Sequence, residues 1–573
     1  MLLSAVEFYP LLYGLYLSLT GAGGGATLAN YSQVVSDGDF WTALTVSLVV
    51  SVLSTALMFC LGLALTFLVR QATRGRRVLE CVFLAPLAMA PIAVGIAWAP
   101  STVWDDFQAF THLVLGLPYF NELSALFYIP VMSLSIAWEW APLVMLVCLG
   151  IVDSTSEVEE AAALNGASAW RVFREITIPS IVRSPVMVFV MVLQFVEAMW
   201  AFEVPLAWSK WLGVSTSVGT ASDTVSLYLY KLISVPGLGD PVRLVSAMAV
   251  ALLLVTLVGS TLMARLLTKV GSAAASLKGT ARPEAKARAT PRKRRPGGRA
   301  LLYLAFVAAA LYSLFPPIAM ALDAAGANIA ALITILGGVI PFSSGAFFIT
   351  PVYYQSALGL AAFPTRALNS LAIAGLSVGA ALAVGIPVSY VLARVDIKGK
   401  GALSFVFLAL RTVSPFAVVL PLYLLFDGAG LWDTYQGVAL AELVFVLSVV
   451  VWMVKGFFAD IPQQVYDSAS VFASTEAQVF RRVALPLVAR GVAVTAVFGI
   501  LLVWNEFLIS TLFTGPHTTS VAVGIWAGLS ERGNSTPFID VEAAATVAYL
   551  PALAALLAIR RHLARGFSLA TAR

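Results

Sequence analysis

Long apolar stretches alternate with short polar ones along nearly the whole chain. Runs long enough to cross a bilayer lie near residues 1–19, 41–69, 78–100, 124–151, 184–205 and 243–267. A second set lies near 300–322, 367–393, 402–426, 436–458, 491–513 and 541–560. A bilayer core of about 30 Å takes about 20 apolar residues per helix. The pattern therefore predicts an all-α polytopic membrane protein of about twelve transmembrane helices in two six-helix halves, with no soluble domain of any size. The first run is short and carries Glu7. Residues 329–350 are also apolar, but they hold Gly337-Gly338, Pro341 and Ser343-Ser344-Gly345. Counting them as a span would move every later basic loop to the opposite side, so they are expected to form an extracellular segment on the membrane surface.

Composition agrees with lipid as the main solvent. Of 573 residues, 60% are hydrophobic and 11% charged, against roughly 25% charged in an ordinary soluble protein. The net charge is +5, but its distribution says more. Residues 269–299 hold ten Lys or Arg and one acid, Glu284, a local balance of +9. Between membrane segments, such a run reads as a cytoplasmic tether rather than a nucleic-acid site. It divides the chain into a first membrane domain (1–268), a basic linker (269–299) and a second membrane domain (300–573). Arg70 to Arg77, Arg171 to Arg183, Arg394 to Lys400, Arg481 to Arg490 and Arg560 to Arg565 mark further loops on the linker's side, whereas 101–122 carries Asp105, Asp106 and Glu122. This asymmetry predicts cytoplasmic N- and C-termini. No cleavable signal peptide is visible. Cys60, Cys81 and Cys148 lie in apolar segments without metal-ligand spacing and are expected to be buried small residues. No metal site is expected.

One polar pattern occurs twice. Glu160-Ala161-Ala162-Ala163-Leu164-Asn165-Gly166 is followed, nine residues later, by Ile176-Thr177-Ile178-Pro179. Asp467-Ser468-Ala469-Ser470-Val471-Phe472-Ala473 is followed at the same distance by Val483-Ala484-Leu485-Pro486. The copies are offset by 307 positions, with Phe173 matching Phe480. A shared loop at a fixed offset within two similar hydrophobic halves is an internal duplication. Acid-Ala-Ala predicts a short helix whose small face admits a close partner, and Gly166 or Ala473 permits a sharp turn. A second amphipathic helix (Trp170, Phe173, Ile176) should follow, with the proline ending it.

These residues resemble the signature loop of permease subunits in bacterial and archaeal ABC importers. The first copy departs from that pattern only at Ile178; the second departs at Asp467, Ser468 and Ala473. The stretch from Tyr9 to Leu19, with Asn30-Tyr31 and Trp98, looks like the first permease of the carbohydrate (maltose and glycerol-phosphate) branch. Lys455-Gly456-Phe457-Phe458, Ile461-Pro462 and Trp504-Asn505-Glu506-Phe507 look like the second. The resemblance implies two permeases fused in one chain, in a prokaryotic plasma membrane, importing a sugar or oligosaccharide. It implies a separate cytoplasmic ATPase dimer, carrying ATP and Mg, docked on Glu160, Ala161, Ala162, Gly166 and Pro179 and on Asp467, Ser468, Ala469, Ala473 and Pro486. It also implies an extracellular solute-binding protein docking near 206–240 and 514–540. The chain has no G-x-x-x-x-G-K-[ST] loop of its own, so no cofactor is expected on it and it is expected not to be an enzyme.

Ionisable residues in apolar segments are costly and tend to face a cavity or a partner. Glu139, Glu197, Glu203, Glu442 and Glu506 are such residues. A carboxylate beside an aromatic face suits a sugar, whose C–H face packs on the ring while its hydroxyls take the polar group. Trp138, Glu139, Trp140, Glu197, Trp200 and Glu506 are accordingly the candidate substrate contacts; the alternative for each is an interfacial aromatic or an interhelical hydrogen bond. Two other assignments stay open: a fused ABC permease for ferric iron or thiamine, and an ion-coupled twelve-helix secondary transporter. A membrane-bound glycosyltransferase lacks a supporting acid cluster in the loops.

Overall fold

The computed structural model describes residues 2–21, 23–72, 75–99, 125–154, 156–211, 223–234, 241–276, 296–325, 352–359, 363–395, 398, 400, 415–472, 475–531 and 539–569. The expected surface segment 329–350 and most of the basic linker lie outside them. Apart from an isolated bridge between Thr20 and Ala26, the described secondary structure is helical.

Among the described residues, nine helical segments are long and apolar enough to cross a membrane, and a bent pair makes up to ten. Each of the twelve apolar runs has a helix, but Leu2–Ser18 and Pro415–Gly428 are shorter than a span. The shortfall in the second case has a plain source, because residues 402–414 of the run 402–426 are outside the described set. The run 78–100 is not one straight helix. Arg76–Ala88 and Pro91–Ala97 meet at 102°. Ala90 precedes Pro91, whose ring disfavours helical backbone before it, and Ala90 is extended at φ −65, ψ 141.

The two halves repeat each other in detail. Gly38–Gln71 packs on Ala125–Ser154, and Phe363–Arg394 packs on Tyr435–Asp460. At the first contact, a Cβ on Gly62 would stand 2.4 Å from Val144 Cγ1; at the second, a Cβ on Gly385 would stand 2.7 Å from Val450 Cγ1. Without a hydrophobic drive between helices in lipid, close backbone approach over small residues supplies the packing energy. Ser47 Oγ accepts from Val225 N at 2.9 Å, and Ser370 Oγ accepts from Val521 N at 2.9 Å. Each bond ties the start of a later helix to the opening helix of its pair.

The first helix of each half rests on the other half. Leu2–Ser18 packs against Pro415–Gly428, where Gly14 lies against the Ala417 carbonyl. Pro296–Ala324 packs against Arg76–Leu84 and Pro91–Ala97. The exchange makes one body of the two halves.

The duplicated loops depart from expectation in one respect. The prolines do not end their helices. Pro179 and Pro486 each sit in the first turn after a π-helical segment, Phe173–Thr177 and Phe480–Ala484, and the helix runs on. Ile178 N donates to Phe173 O and Leu485 N to Phe480 O. A proline cannot donate to the carbonyl four residues back, and the wider π turn absorbs that gap. The chain breaks later, at Ser184, just before Pro185. The cysteines also differ from expectation. Cys148 is buried, but Cys60 is exposed and Cys81 half-buried, because Cys60 lies on a helix face turned away from the protein core.

Candidate functional site

A cavity of about 240 Å³ lies between the two halves. Glu139, Glu197 and Glu203 reach it from the first half, Glu442 and Glu506 from the second. All five are among the carboxylic acids that the sequence places in apolar segments, and the fold gathers them around one space. Glu139 sits on Ala125–Ser154, three residues before Pro142. Glu197 lies near the end of Pro185–Met199, and Glu203 opens Glu203–Trp211 after a three-residue break. The second half has the matching break. Leu485–Asn505 ends, Glu506 is extended at φ −74, ψ 131, and Leu508–Phe513 begins. The Glu506 carboxyl accepts from Ile509 N at 3.0 Å and from Ser510 N at 3.1 Å, capping that short helix.

Aromatic groups share the walls. Trp140, Trp200 and Phe202 line the cavity, with Asn505 beside Glu506. Of the candidate substrate residues, Glu139, Trp140, Glu197, Trp200 and Glu506 come together there. Trp138 stands apart. It is 1% exposed, its Nε1 donates to the Tyr312 carbonyl at 2.9 Å, and its ring meets Trp98 edge-on. Tyr312 belongs to Pro296–Ala324, so Trp138 fastens the exchanged helix of the second half. Sequence reasoning left Glu203, Glu442 and Phe202 out of the contact set. Glu203 and Glu442 already carried the signal of a carboxyl in an apolar run, whereas Phe202 carried none.

The two loops form a second pair of sites. In the first, Ser156–Leu164 presents Glu160 and Ala161 to the exterior, with Ala162 half-buried. Asn165 N donates to Ala161 O and Ala167 N to Ala162 O, and Gly166 turns the chain at φ +87, a conformation glycine adopts freely. Glu159, one residue before the motif, is buried. It pairs with Arg70 and accepts from Thr177 Oγ1 at 2.6 Å. This anchor was not singled out in the sequence, although the Glu159-Glu160 doublet and Arg70 at the end of Gly38–Gln71 were both visible.

In the second loop, Gln463–Phe472 exposes Asp467 and Ser468, with Ala469 half-buried; Ala473 lies outside the described residues. Asp467 accepts from Gln463 Nε2 at 2.9 Å. Arg394, at the end of Phe363–Arg394, takes the place of Arg70. Its guanidinium lies 3.8 Å over the Tyr466 ring and donates to Phe458 O and Ile461 O. Partial burial pushes the Tyr466 phenol up, with the Arg394 charge pulling against it. Pro179 is half-buried and Pro486 exposed.

Residues 385–569 match the family described as the binding-protein-dependent transport system inner membrane component. That match covers 185 of the 573 residues, all of them in the second half. Among known relatives of this permease, a probable ABC transporter permease protein of Sinorhizobium fredii is 28% identical over 207 residues, 36% of this chain and 74% of that protein. The trehalose transport system permease protein SugB of Mycobacterium tuberculosis is 27% identical over 209 residues, 36% of this chain and 76% of that protein. A chain of a bacterial ABC transporter involved in import of the acidic polysaccharide alginate, solved by crystallography, aligns over 48% of this chain and 99% of its own, at 18% identity and a TM-score of 0.38; a likeness that low carries no weight for the fold. The permease is a multi-pass membrane component of an ABC importer and not an enzyme.

Proposed function

We propose that this chain supplies both membrane halves of a binding-protein-dependent importer for sugars or oligosaccharides, driven by a separate cytoplasmic ATPase dimer. The observation that carries the proposal is the pair of loops. Each half holds an exposed acid-Ala or Asp-Ser helix, anchored by an arginine from a corresponding helix and followed by a π segment at the same offset. Two equivalent handles suit a motor with two equivalent subunits. The length supports fusion, since 207 residues are 74% of the Sinorhizobium relative, and this chain of 573 is about twice that relative's length. Relatives named for trehalose, diacetylchitobiose and alpha-glucoside uptake support a saccharide cargo, as do the aromatic and carboxyl walls of the cavity.

In this reading Glu160, Ala161, Ala162 and Gly166 meet one ATPase subunit, and Asp467, Ser468, Ala469 and Ala473 meet the other. ATP and Mg bind those subunits. The loops and both termini face the cytoplasm. The solute-binding protein docks from outside near 206–240 and 514–540. Closure of the ATPase dimer moves the loops, and the exchanged first helices carry that motion across both halves as the central cavity changes sides. Uptake of labelled trehalose into proteoliposomes holding the full chain, its ATPase and its binding protein tests the reading. Uptake that needs ATP and survives an uncoupler supports it. Uptake that needs an ion gradient and no ATP overturns it.

A further inference from the structure

A loop displaced on one side of the membrane affects the other side only through something stiff enough to carry the push. The chain joins each motif helix directly to the helices before and after it. Side chains join it to a third. Glu159, the residue before the first motif, is buried. Its carboxylate pairs with Arg70 near the end of Gly38–Gln71 and accepts from Thr177 Oγ1 in the π segment. Tyr466 holds the same place before the second motif, 307 positions on. Its buried ring lies under the guanidinium of Arg394, the last residue of Phe363–Arg394. About one turn back from each arginine, an aromatic ring makes a second tie. Phe67 meets Phe173 at 5.2 Å between ring centroids, and Tyr390 meets Phe480 at 4.9 Å. One half uses an ion pair and the other a cation–π contact, but the elements joined are the same.

Both of these helices are held at the other end too. Ser47 Oγ accepts from Val225 N and Ser370 Oγ from Val521 N, each at 2.9 Å. From Ser47 to Arg70, and from Ser370 to Arg394, the helix is continuous. At about 1.5 Å per residue each stretch is roughly 35 Å long, enough to cross a bilayer core of about 30 Å. We infer that Gly38–Gln71 and Phe363–Arg394 are connecting rods. Each is latched to its loop by the residue before the motif, and each carries loop displacement to an outer helix, Val225–Ser234 in one half and Val521–Glu531 in the other. The inference rests on the reading that an ATPase dimer moves the two loops. Glu159 and Tyr466 are positioning residues for that coupling. Both are buried, so they act through Arg70 and Arg394 rather than at the docking surface. Pulling the cation away would leave a buried carboxylate unpaired in the first half, which is costly, so loop and helix end travel together. A rigid element fastened at both ends is what carries a displacement between distant sites.

Hydrogen exchange at the two outer ties tests the rods. The full chain in nanodiscs, with its ATPase and binding protein, is compared before and after addition of AMP-PNP and Mg. In the parent, nucleotide should change protection at the Val225 and Val521 amides by about fivefold or more. In Glu159→Gln the Val225 response should be lost and the Val521 response kept; in Tyr466→Leu the reverse is expected. Tyr466→Phe keeps a ring under Arg394 and should respond as the parent does. Arg70→Glu/Glu159→Arg restores an ion pair with the charges exchanged and should recover the response at Val225. Should Glu159→Gln fail to melt cooperatively, Tyr466→Leu decides alone. Equal responses at the two amides in either broken variant would overturn the rods and leave ATPase docking standing. So would the absence of any response in a parent that retains the ATPase. A parent that retains no ATPase would remove the docking, and the rods with it.

Discussion

Phe202 and Phe507 stack across the junction of the two halves, with ring centroids 5.9 Å apart and planes at 27°. Each occupies the break in its own half, where one helix stops beside the cavity and a short one begins. Phe202 is 1% exposed and Phe507 fully buried. The pair therefore joins the two discontinuities that put Glu203 and Glu506 at the cavity wall.

Truncating that contact should loosen the junction. Phe507→Ala is expected to lower stability by roughly 3–5 kcal/mol, the usual range for removing a buried phenylalanine. The measurement is thermal melting of the purified chain in nanodiscs. Phe507→Leu, which keeps most of the volume, should fall by much less. Equal melting for Phe507→Ala and the parent would show that the stack does not hold the halves.

Gly166 turns the chain after the exposed helix at φ +87. A side chain there costs about 1 kcal/mol in backbone conformation, which the whole bundle can tolerate. An arginine would also project where the ATPase is proposed to sit. Gly166→Arg should insert and melt like the parent, yet fail to retain the ATPase on co-purification and lose transport. Retention of the ATPase with full transport would remove this loop from the coupling path.

Outside the bundle, Asp433 ties two outer turns together at φ +54. Its carboxylate accepts from Gly515 N at 2.8 Å, Thr518 N at 3.0 Å and Thr518 Oγ1 at 2.7 Å, and from His517 N at 3.2 Å. Partial burial pulls its pKa upward, but these hydrogen bonds outweigh it and hold the group below its ordinary value of 3.8. A carboxylate depressed in the folded state contributes stability above its unfolded pKa and loses it as pH falls through the folded value. Protection factors at the Gly515, His517 and Thr518 amides should thus be high at neutral pH and fall below about pH 4. Asp433→Asn should exchange faster at neutral pH with a flatter profile. An acid-insensitive parent would contradict the assignment.

The paired glycines offer a comparison within one molecule. A Cβ at Gly62 would meet Val144 at 2.4 Å and the Ala141 carbonyl at 3.1 Å; at Gly385 the nearest atom is the Val450 side chain at 2.7 Å. Backbone yields less readily than a side chain. Gly62→Ala should therefore cost more than Gly385→Ala, within the roughly 1–3 kcal/mol typical of overpacking. Melting temperatures of the two variants decide the order, and a reversed order would show that Val144 repacks more easily than Val450.

Much of this was legible in the sequence for identifiable reasons. Apolar run length located a helix in each of the twelve runs, because lipid leaves the backbone no alternative to internal hydrogen bonding, but shorter helices such as Val225–Ser234 and Val521–Glu531 were not singled out. The cost of a carboxyl in lipid marked Glu139, Glu197, Glu203, Glu442 and Glu506 before the fold brought them together. The breaks were less visible. Pro91 reads as a kink signal in any chain, but no residue at 505–506 announces that a helix stops there. Glu506 caps the next helix only because the fold turns it back on Ile509 and Ser510. The role expected of Pro179 and Pro486 failed because a π turn can absorb a missing N–H, and that choice depends on packing around Phe173 and Phe480. Trp138 was drawn toward the substrate by its neighbour Glu139, whereas its indole serves a helix 174 positions away in the chain.

The crossing of the first helices has a consequence for biosynthesis. The ribosome delivers residues 2–18 several hundred positions before residues 415–428, the surface on which they come to rest. During that interval the opening helix can already pack on Pro241–Ser276, but the face that meets residues 415–428 has only lipid or a chaperone to cover it. Tertiary assembly must then be a late event, completed when the second half enters the bilayer. Protease mapping of ribosome-stalled chains would register it as protection at the N-terminus that appears only after residue 428 has emerged.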